Sequence, residues 1–296
     1  MTDTKIQSTN ALILGGGGTT GIAWEMGILS GLYDGGVDVT NAGLVVGTSA
    51  GATVGAQITS GLTLEELYAL QLRPLEETKE QVVQFDFAVL AQVFAAGIGA
   101  PDIETALAHV GAAALAANTM PEEERLNIIA ARLPVQEWPS KQRLVIPAVD
   151  AHTGETVAFD RDAQVPLVLA VTASSAVPGV YPPTSIRGHR YIDGGVRSGT
   201  NADLAKGSQR VLILQAETLE IPTQEEQPAF PHLTFEDELA ILRQAGASML
   251  VITPDEASTA ARGPNPLDAS RRALSANDGR AQGRLLAERV RSFWGD

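Results

Sequence analysis

Apolar runs alternate with helical patterns along the first part of the chain. Ala11–Leu14 is apolar and ends in four glycines, which is typical of a buried parallel strand that enters a tight turn. Apolar residues then recur at helical spacing until two glycines end the pattern. Leu44–Val46 predicts a second buried strand, and a helix of small residues is predicted from Ser49 to about Gly61. This order of elements indicates a doubly wound α/β sheet.

Residues 62–140 have a mainly helical pattern. Thr63 with Glu66, and Thr119 with Glu122, have the spacing of capping boxes and so predict two helix starts. The apolar stretch FDFAVLAQVFAAGIGAP, which lies between these boxes, is also predicted to be helical. No linker rich in Pro, Gly and Ser borders the segment, so we expect a helical cap inserted into a domain rather than a second domain.

The rest of the chain predicts further strands and two helices. Strands are predicted at Arg143–Val149, Glu155–Phe159, Arg190–Asp193, Arg210–Gln215 and in the segment SMLVIT that begins at Ser248. A long loop, TASSAVPGVYPPTS, is expected between them, and the polar segment Thr218–Leu233 predicts a mobile loop. Thr234 caps a predicted helix, and an amphipathic helix over Asp278–Trp294 completes a C-terminal helical segment of about 234–296. We therefore expect residues 1–296 to form a single domain.

The composition limits the functions that the chain can have. Of its 296 residues, 44% are hydrophobic and none is cysteine, which indicates a globular protein with a large core and no disulfide or thiolate metal site. The formal net charge of −14 argues against nucleic-acid binding and against electrostatic docking on anionic lipid. The uncharged stretches contain prolines or many polar residues, so no transmembrane span is predicted. No secretory signal is recognised, and we expect a cytoplasmic protein.

A glycine-rich turn places one serine between two predicted elements. Gly47 and Gly51 flank Ser49 in the form G-x-S-x-G, after a strand and before a helix, which is typical of a sharp nucleophile elbow. At such an elbow the amide of Ala50 and the start of the helix point towards any negative charge that develops near the hydroxyl. The pattern predicts a nucleophilic serine, with a glycine-rich packing turn as the alternative.

The glycines that follow the first strand have three interpretations. Gly16, Gly18 and Gly21 match the dinucleotide pattern G-x-G-x-x-G, with Asp38 near the distance of a ribose-binding acid. A phosphate-binding P-loop is excluded because no Gly-Lys-Ser/Thr follows. The third interpretation is an oxyanion hole formed by the bare amides of Gly16, Gly17 and Gly18 at the start of a helix. Taken alone, the glycine block supports dinucleotide binding and an oxyanion hole about equally. The serine elbow one strand later favours the oxyanion hole, because both turns would lie at one edge of the sheet.

A nucleophilic serine needs a proton acceptor. The chain has four histidines, and none follows an apolar strand in the way that a triad histidine does. Asp193 is the better candidate, since it ends a predicted strand and is followed by Gly194 and Gly195, which let another backbone approach closely. An ordinary Asp-Gly hairpin turn is the alternative. A carboxylate with a pKa of about 3.9 is a weak base, so we expect Asp193 to be partly removed from solvent or to act through its placement.

Taken together, these blocks resemble those of the patatin-like phospholipases and lipid acyl hydrolases. The glycine block, the serine elbow and the Asp-Gly-Gly turn occur in the right order, and the loop Ala173–Pro183 (ASSAVPGVYPP) matches more loosely. Asn201 also lies near the position where the family often has asparagine. The resemblance covers residues 10–215 and departs at Thr20, where many members have Arg or Lys.

The resemblance implies a three-layer α/β/α fold with a mainly parallel central sheet and a helical cap. It also implies a Ser–Asp dyad in which Ser49 attacks and Asp193 acts as base, with Gly17 and Gly18 in the oxyanion hole. The expected reaction is hydrolysis of carboxylic esters of lipids through an acyl-enzyme, and transfer of the acyl group to an alcohol by the same dyad is the alternative. No cofactor is implied, and the sequence has no spacing of metal ligands.

The substrate is predicted only by class, as a lipid or a small ester. The acidic composition favours short- to medium-chain esters and neutral or zwitterionic lipids over anionic membranes, with transient contact to a membrane surface. Apolar residues in the cap line an acyl channel, contact a lipid surface or pack on the sheet: Phe85, Phe87, Val89, Leu90, Val93 and Phe94. The packing interpretation is favoured, and the sequence leaves the oligomeric state open.

Overall fold

A single mixed sheet forms the centre of the molecule. The structure is a computed structural model and describes residues 10–83, 87–216 and 230–295. In these residues the sheet has eight strands: β1 Asn10–Leu14, β2 Leu44–Gly47, β3 Arg143–Asp150, β4 Thr156–Phe159, β5 Thr184–Ile186, β6 His189–Asp193, β7 Arg210–Leu214 and β8 Ser248–Ile252. Their order is β5-β6-β3-β2-β1-β7-β8, with β4 paired to β3. The pairs from β3 through β2, β1 and β7 to β8 are parallel, and the pairs that involve β4, β5 and β6 are antiparallel.

Helices cover both faces of this sheet. Within the described residues they are α1 Gly18–Asp34, α2 Ala50–Ile58, α3 Leu64–Leu72, α4 Phe87–Ala95, α5 Ile103–Ala116, α6 Glu122–Arg132, α7 Leu167–Ser174, α8 Phe235–Gln244, α9 Glu256–Arg262 and α10 Arg272–Trp294. In that part of the chain no helix combines the length and the apolarity that crossing a bilayer requires.

The two faces of the sheet bury different sets of apolar residues, because successive side chains of a strand point in opposite directions. In β1, Leu12 and Leu14 pack into the cluster that contains residues of α1, α2, α7 and α10. Ala11 and Ile13 pack into a second cluster, which contains residues of α8. The predicted three-layer α/β/α fold with a mainly parallel sheet is therefore confirmed.

The helices of residues 62–140 are distributed over several surfaces of the sheet domain. α3 packs on α1 and α10, and α6 packs on α7. α4 and α5 pack together in a third apolar cluster, with Val149 of β3 and Ile192 of β6. This segment consequently contributes to the carboxyl edge of the sheet, where α4 and α6 both reach the cavity described below.

Two of the three predicted helix caps are present in the structure. Thr63 and Glu66 form the predicted capping box, and Thr234 caps α8 as predicted, with Asp237 as its partner. The second predicted box is wrong, because α6 begins after Pro121 and the Glu122 carboxylate instead accepts hydrogen bonds from the backbone and hydroxyl of Ser185 on β5.

Three other predicted boundaries also differ from the structure. The loop predicted to begin at residue 172 is helical in its first three residues, because they belong to α7. α10 begins at Arg272, six residues before the prediction. α5 lies in the segment that is expected to be helical, but the sequence pattern predicts no bounds for it. Most of the predicted mobile loop over Thr218–Leu233 lies outside the described residues.

Candidate active site

The serine elbow lies between β2 and α2, at the carboxyl edge of the sheet. Ser49 has φ 54° and ψ −109°, a backbone conformation that non-glycine residues seldom adopt and that costs about 1–3 kcal/mol. The strain is held in place by tight packing: a Cβ on Gly51 would lie 2.0 Å from the carbonyl oxygen of Leu14, and one on Gly47 would lie 2.3 Å from that of Gly51. The predicted strand, turn and helix around Ser49 are confirmed.

Asp193 meets Ser49 across 144 residues of chain. The Ser49 hydroxyl donates a hydrogen bond of 2.8 Å to Oδ2 of Asp193. The other carboxylate oxygen, Oδ1, accepts from the backbone amide of Gly195 at 2.7 Å, so the turn that follows β6 holds the carboxylate in one orientation. Both side chains are buried, with 8% of Ser49 and 4% of Asp193 exposed. The structure thus brings the predicted nucleophile and the predicted base into contact.

A buried asparagine fixes the turn after Asp193. The side-chain amide of Asn201 donates to the carbonyl oxygens of Gly194 (3.2 Å) and Ser198 (2.7 Å) and to the hydroxyl of Thr48 (3.1 Å). Thr48 precedes the serine, so Asn201 ties the Asp-Gly-Gly turn to the elbow. A Cβ on Gly194 would lie 2.4 Å from the carbonyl oxygen of Pro147, which explains why glycine is needed there.

The glycine block that follows β1 lies beside Ser49. The amide of Gly16 donates to the carbonyl oxygen of Gly199 at 2.8 Å, so the prediction that Gly16 contributes a free amide to an oxyanion hole is wrong. Within the described chain, no acceptor is paired with the amides of Gly17, Gly18 or Ala50. Gly17, Gly18 and Ala50 line the same cavity as Ser49.

The start of α1 explains the remaining glycines of the block. Gly18 has φ +62°, and a Cβ there would lie 2.5 Å from the carbonyl oxygen of Pro266. The amide of Gly21 closes the first turn of the helix on the Gly17 carbonyl. Thr20, where the resemblance implies Arg or Lys, is fully buried, and its amide donates to Pro266.

Two serines of the loosely matching loop also lie at the site. Ser174, the last residue of α7, accepts a hydrogen bond of 3.0 Å from the backbone amide of Ser49. Ser175 lines the cavity, and its hydroxyl donates to the carbonyl of Val171 within α7 at 2.7 Å. The first of these contacts gives the loop a direct part in holding the elbow.

The histidines lie away from this site. The structure describes all four of them, and none lines the cavity: His109, His152, His189 and His232. His189 is paired through Nδ1 with Asp150 at 2.8 Å, at the start of β6. No group of three or more metal-ligating side chains occurs in the described ranges.

Asp38 lies on the wrong side of the sheet for the dinucleotide interpretation. Asp38 precedes β2, whereas the glycine block follows the parallel strand β1, so the two are at opposite edges. The Asp38 carboxylate accepts two hydrogen bonds from Thr40 instead. A ribose-binding acid would have to lie at the same edge as the glycines.

The cavity at Ser49 has a volume of about 90 Å³ and a largely apolar wall. Leu90 and Phe94 of α4 line it and are at the same time part of the buried cluster with α5, so the packing interpretation applies to them, and the acyl channel stays a prediction. Val93 is buried, and Val89 is 38% exposed. Phe85 and the side chain of Phe87 lie outside the described part.

Two arginines of α6 also line the cavity, and sequence reasoning missed them. Arg132 forms a two-pronged ion pair with Glu80, with both N···O distances at 2.7 Å. Arg125 is 3% exposed and stacks on the ring of Tyr181. A signal was present, because Arg125 and Arg132 share the spacing of Ile128 and Ile129 and so belong to the buried face of the helix.

The fold and the site define the class of the protein: a three-layer α/β protein with a serine at the carboxyl edge of its sheet. A family model described as "Patatin-like phospholipase" matches residues 12–206, which is more than half of the chain. The chain therefore belongs to the patatin-like phospholipase family and is a lipid ester hydrolase.

Two solved structures are similar to the chain over most of its length. VipD from Legionella pneumophila is 14% identical with a TM-score of 0.44, and the match covers 96% of this chain and 67% of VipD. The type III effector protein ExoU is 16% identical with a TM-score of 0.35, and the match covers 94% of this chain and 54% of ExoU. The chain thus spans about half the length of ExoU. A comparison with curated proteins gives no match.

Proposed function

We propose that the chain hydrolyses carboxylic esters of lipids, with Ser49 as nucleophile and Asp193 as general base. The observation that carries this proposal is the 2.8 Å hydrogen bond from the Ser49 hydroxyl to the Asp193 carboxylate. The bond supplies the proton acceptor that a serine nucleophile requires, and its length is within the range of a productive base. Asp193 is also held by Gly195, so its second oxygen cannot turn away without breaking a further bond.

The reaction follows from these positions. Asp193 takes the hydroxyl proton while the oxygen of Ser49 attacks the ester carbonyl carbon. The negative charge that forms on the carbonyl oxygen is stabilised by the amides of Gly17, Gly18 and Ala50. The bond to the alcohol oxygen then breaks, and this oxygen takes the proton from Asp193. Water attacks the acyl-enzyme in the same way, releases the carboxylic acid and restores the Ser49 hydroxyl.

The dyad is tested by substitution of its two members. We expect Ser49→Ala and Asp193→Asn each to lower ester hydrolysis about 10⁴-fold, as the loss of a member of a catalytic unit does, with thermal unfolding little changed. Ser292→Ala and Asp160→Asn, which lie outside the site, are the matched controls and should keep full activity. Substantial activity in either purified dyad variant would contradict the assignment.

Covalent labelling identifies the nucleophile independently of the substrate. A fluorophosphonate probe should modify Ser49, as read by peptide mapping, and Asp193→Asn should slow the labelling. Modification of Ser175, the other cavity serine, would contradict the proposal. Product analysis in the presence of glycerol then separates hydrolysis from acyl transfer, since only transfer gives a new ester.

A further inference from the structure

Arg125 lies in the wall of the cavity that contains Ser49. Its side chain projects from α6 and is 3% exposed. The guanidinium carbon lies 3.5 Å from the centre of the Tyr181 ring, so one face of the planar group is covered by an aromatic side chain. This stacking fixes the plane of the guanidinium and leaves its N–H edges for hydrogen bonding.

The hydrogen-bonding capacity of Arg125 is largely unused. In the described residues its guanidinium makes one hydrogen bond, a long one of 3.4 Å from Nη2 to the carbonyl of Ser175, and Nε is buried with no acceptor. A guanidinium has five N–H donors. Arg132, about two helical turns further along α6, differs because Glu80 accepts from two of its nitrogens.

The charges around Arg125 do not balance. Among described groups, Glu80 interacts electrostatically with the guanidiniums of Arg125, Arg132 and Arg272. Arg132 also repels Arg125 directly, and Asp193 is the second carboxylate that attracts it. Burial lowers the pKa of Arg125 to about 10, which leaves it charged at neutral pH. A chain with a net charge of −14 thus keeps a surplus cation beside its serine.

We propose that Arg125 binds an anionic group of the substrate, a phosphate or a carboxylate, close to the ester that Ser49 attacks. A buried guanidinium whose N–H groups are mostly without acceptors is costly, and an oxyanion that enters the cavity supplies those acceptors. The fork of a guanidinium matches two oxygens of a phosphate or carboxylate. This inference rests on the proposed function and makes Arg125 a residue that determines specificity.

Matched soluble esters test the proposal. The pair is 1-hexanoylglycerol and 1-hexanoylglycerol 3-phosphate, with O-hexanoylglycolate as the carboxylate arm. Arg125→Gln should lower kcat/KM for the anionic esters about 10- to 100-fold, mainly through KM, as expected for the loss of a charged hydrogen bond. Hydrolysis of the neutral ester should be nearly unchanged. Arg143→Gln, an exposed arginine at the start of β3, is the control and should leave both rates as they are.

The outcomes separate specificity from a structural role. Arg125→Lys keeps the charge and should retain part of the preference for anionic esters. An equal loss on neutral and anionic esters in Arg125→Gln would overturn the proposal, because it indicates a packing role with Tyr181. If Arg125→Gln does not fold, the unmodified protein decides: no preference for the phosphorylated ester over 1-hexanoylglycerol also overturns it.

Binding without turnover separates this proposal from the proposed function. Calorimetric titration compares two proteins, Ser49→Ala and the double variant Ser49→Ala/Arg125→Gln. The dissociation constant of 1-hexanoylglycerol 3-phosphate should be at least tenfold lower for Ser49→Ala than for the double variant, as expected for a charged hydrogen bond. Inorganic phosphate, titrated alone, shows whether the anion suffices or the acyl chain is needed. Binding that depends on Arg125 while Ser49→Ala still hydrolyses esters refutes only the dyad. Ser49-dependent hydrolysis with anion binding indifferent to Arg125 refutes only the present inference.

Discussion

At the scale of single residues, the site depends on backbone positions that only certain residues can occupy. Ser49 has a positive φ, and Gly18 has one as well, at the point where α1 begins. Gly18 also packs against the carbonyl of Pro266 in the C-terminal part of the chain. The backbone amide of Gly18 is therefore oriented by the packing of the main chain and not by a side chain.

Gly18→Ala tests this orientation. Its Cβ would lie 2.5 Å from the Pro266 oxygen, so the first turn of α1 must shift; we expect kcat to fall about 10²-fold, as on loss of an oxyanion donor. Gly61→Ala is the matched control, since Gly61 has φ +89° but nothing within 4 Å of an added Cβ. It should cost about 1 kcal/mol of stability and no activity. Equal kinetics of the two variants would show that the glycine block has no part in catalysis.

At the scale of elements, α8 is connected to the serine elbow through buried hydrogen bonds of Thr200. Glu238 of α8 is fully buried, and the Thr200 hydroxyl donates to its carboxylate. The carbonyl of Thr200 in turn accepts from Thr48, next to the serine. Burial raises the pKa of Glu238 from 4.5 to about 7, although hydrogen bonds from Ser198 and Thr200 oppose the shift.

The raised pKa of Glu238 predicts a pH dependence of stability. The folded protein keeps a proton that the unfolded chain releases above about pH 4.5, so this contribution to stability is complete below that pH and is lost as the pH rises towards 7. Between pH 5 and pH 8, the unfolding free energy of the unmodified protein should therefore fall by roughly 2 to 3 kcal/mol more than that of Glu238→Gln. Denaturant titration at each pH measures the unfolding free energy of each protein. The exposed Glu236→Gln should behave like the unmodified protein, and parallel curves for all three would refute the prediction.

At the scale of the whole molecule, the C-terminal helix is part of the central packing. α10 lies outside the residues that the family model matches, yet it packs closely along α1. The contact is made through glycines: a Cβ on Gly31 would lie 2.1 Å from the carbonyl of Arg280, and one on Gly283 would lie 2.4 Å from that of Ile28. The two helices can pack closely here because Gly31 and Gly283 have no side chains at the contact.

Gly31→Ala should separate the two helices. We expect a loss of about 2 kcal/mol in unfolding free energy, the cost of overpacking less the gain in helix propensity. Leu285→Ala is the control on the outer face of α10, where the side chain is 83% exposed, and should change stability by less than about 0.5 kcal/mol. Thermal and denaturant unfolding measure both variants. A Gly31→Ala protein as stable as the control would contradict the close packing.

The sequence by itself determined the local parts of this protein. The order of strands and helices, the serine elbow and the turn after Asp193 follow from apolar periodicity and from glycines, which act over a few residues. The spacing of four between Gly27, Gly31 and Gly35 was equally visible, although its partner helix was not.

Only the tertiary structure decided which distant groups meet. The contact between Ser49 and Asp193, the use of the Gly16 amide by Gly199, and the place of Arg125 beside the serine each join segments far apart in the chain. Such contacts depend on how strands are ordered in the sheet and how helices cross it. Local sequence patterns do not predict that order, because the same short pattern is compatible with many arrangements of the neighbouring strands and helices.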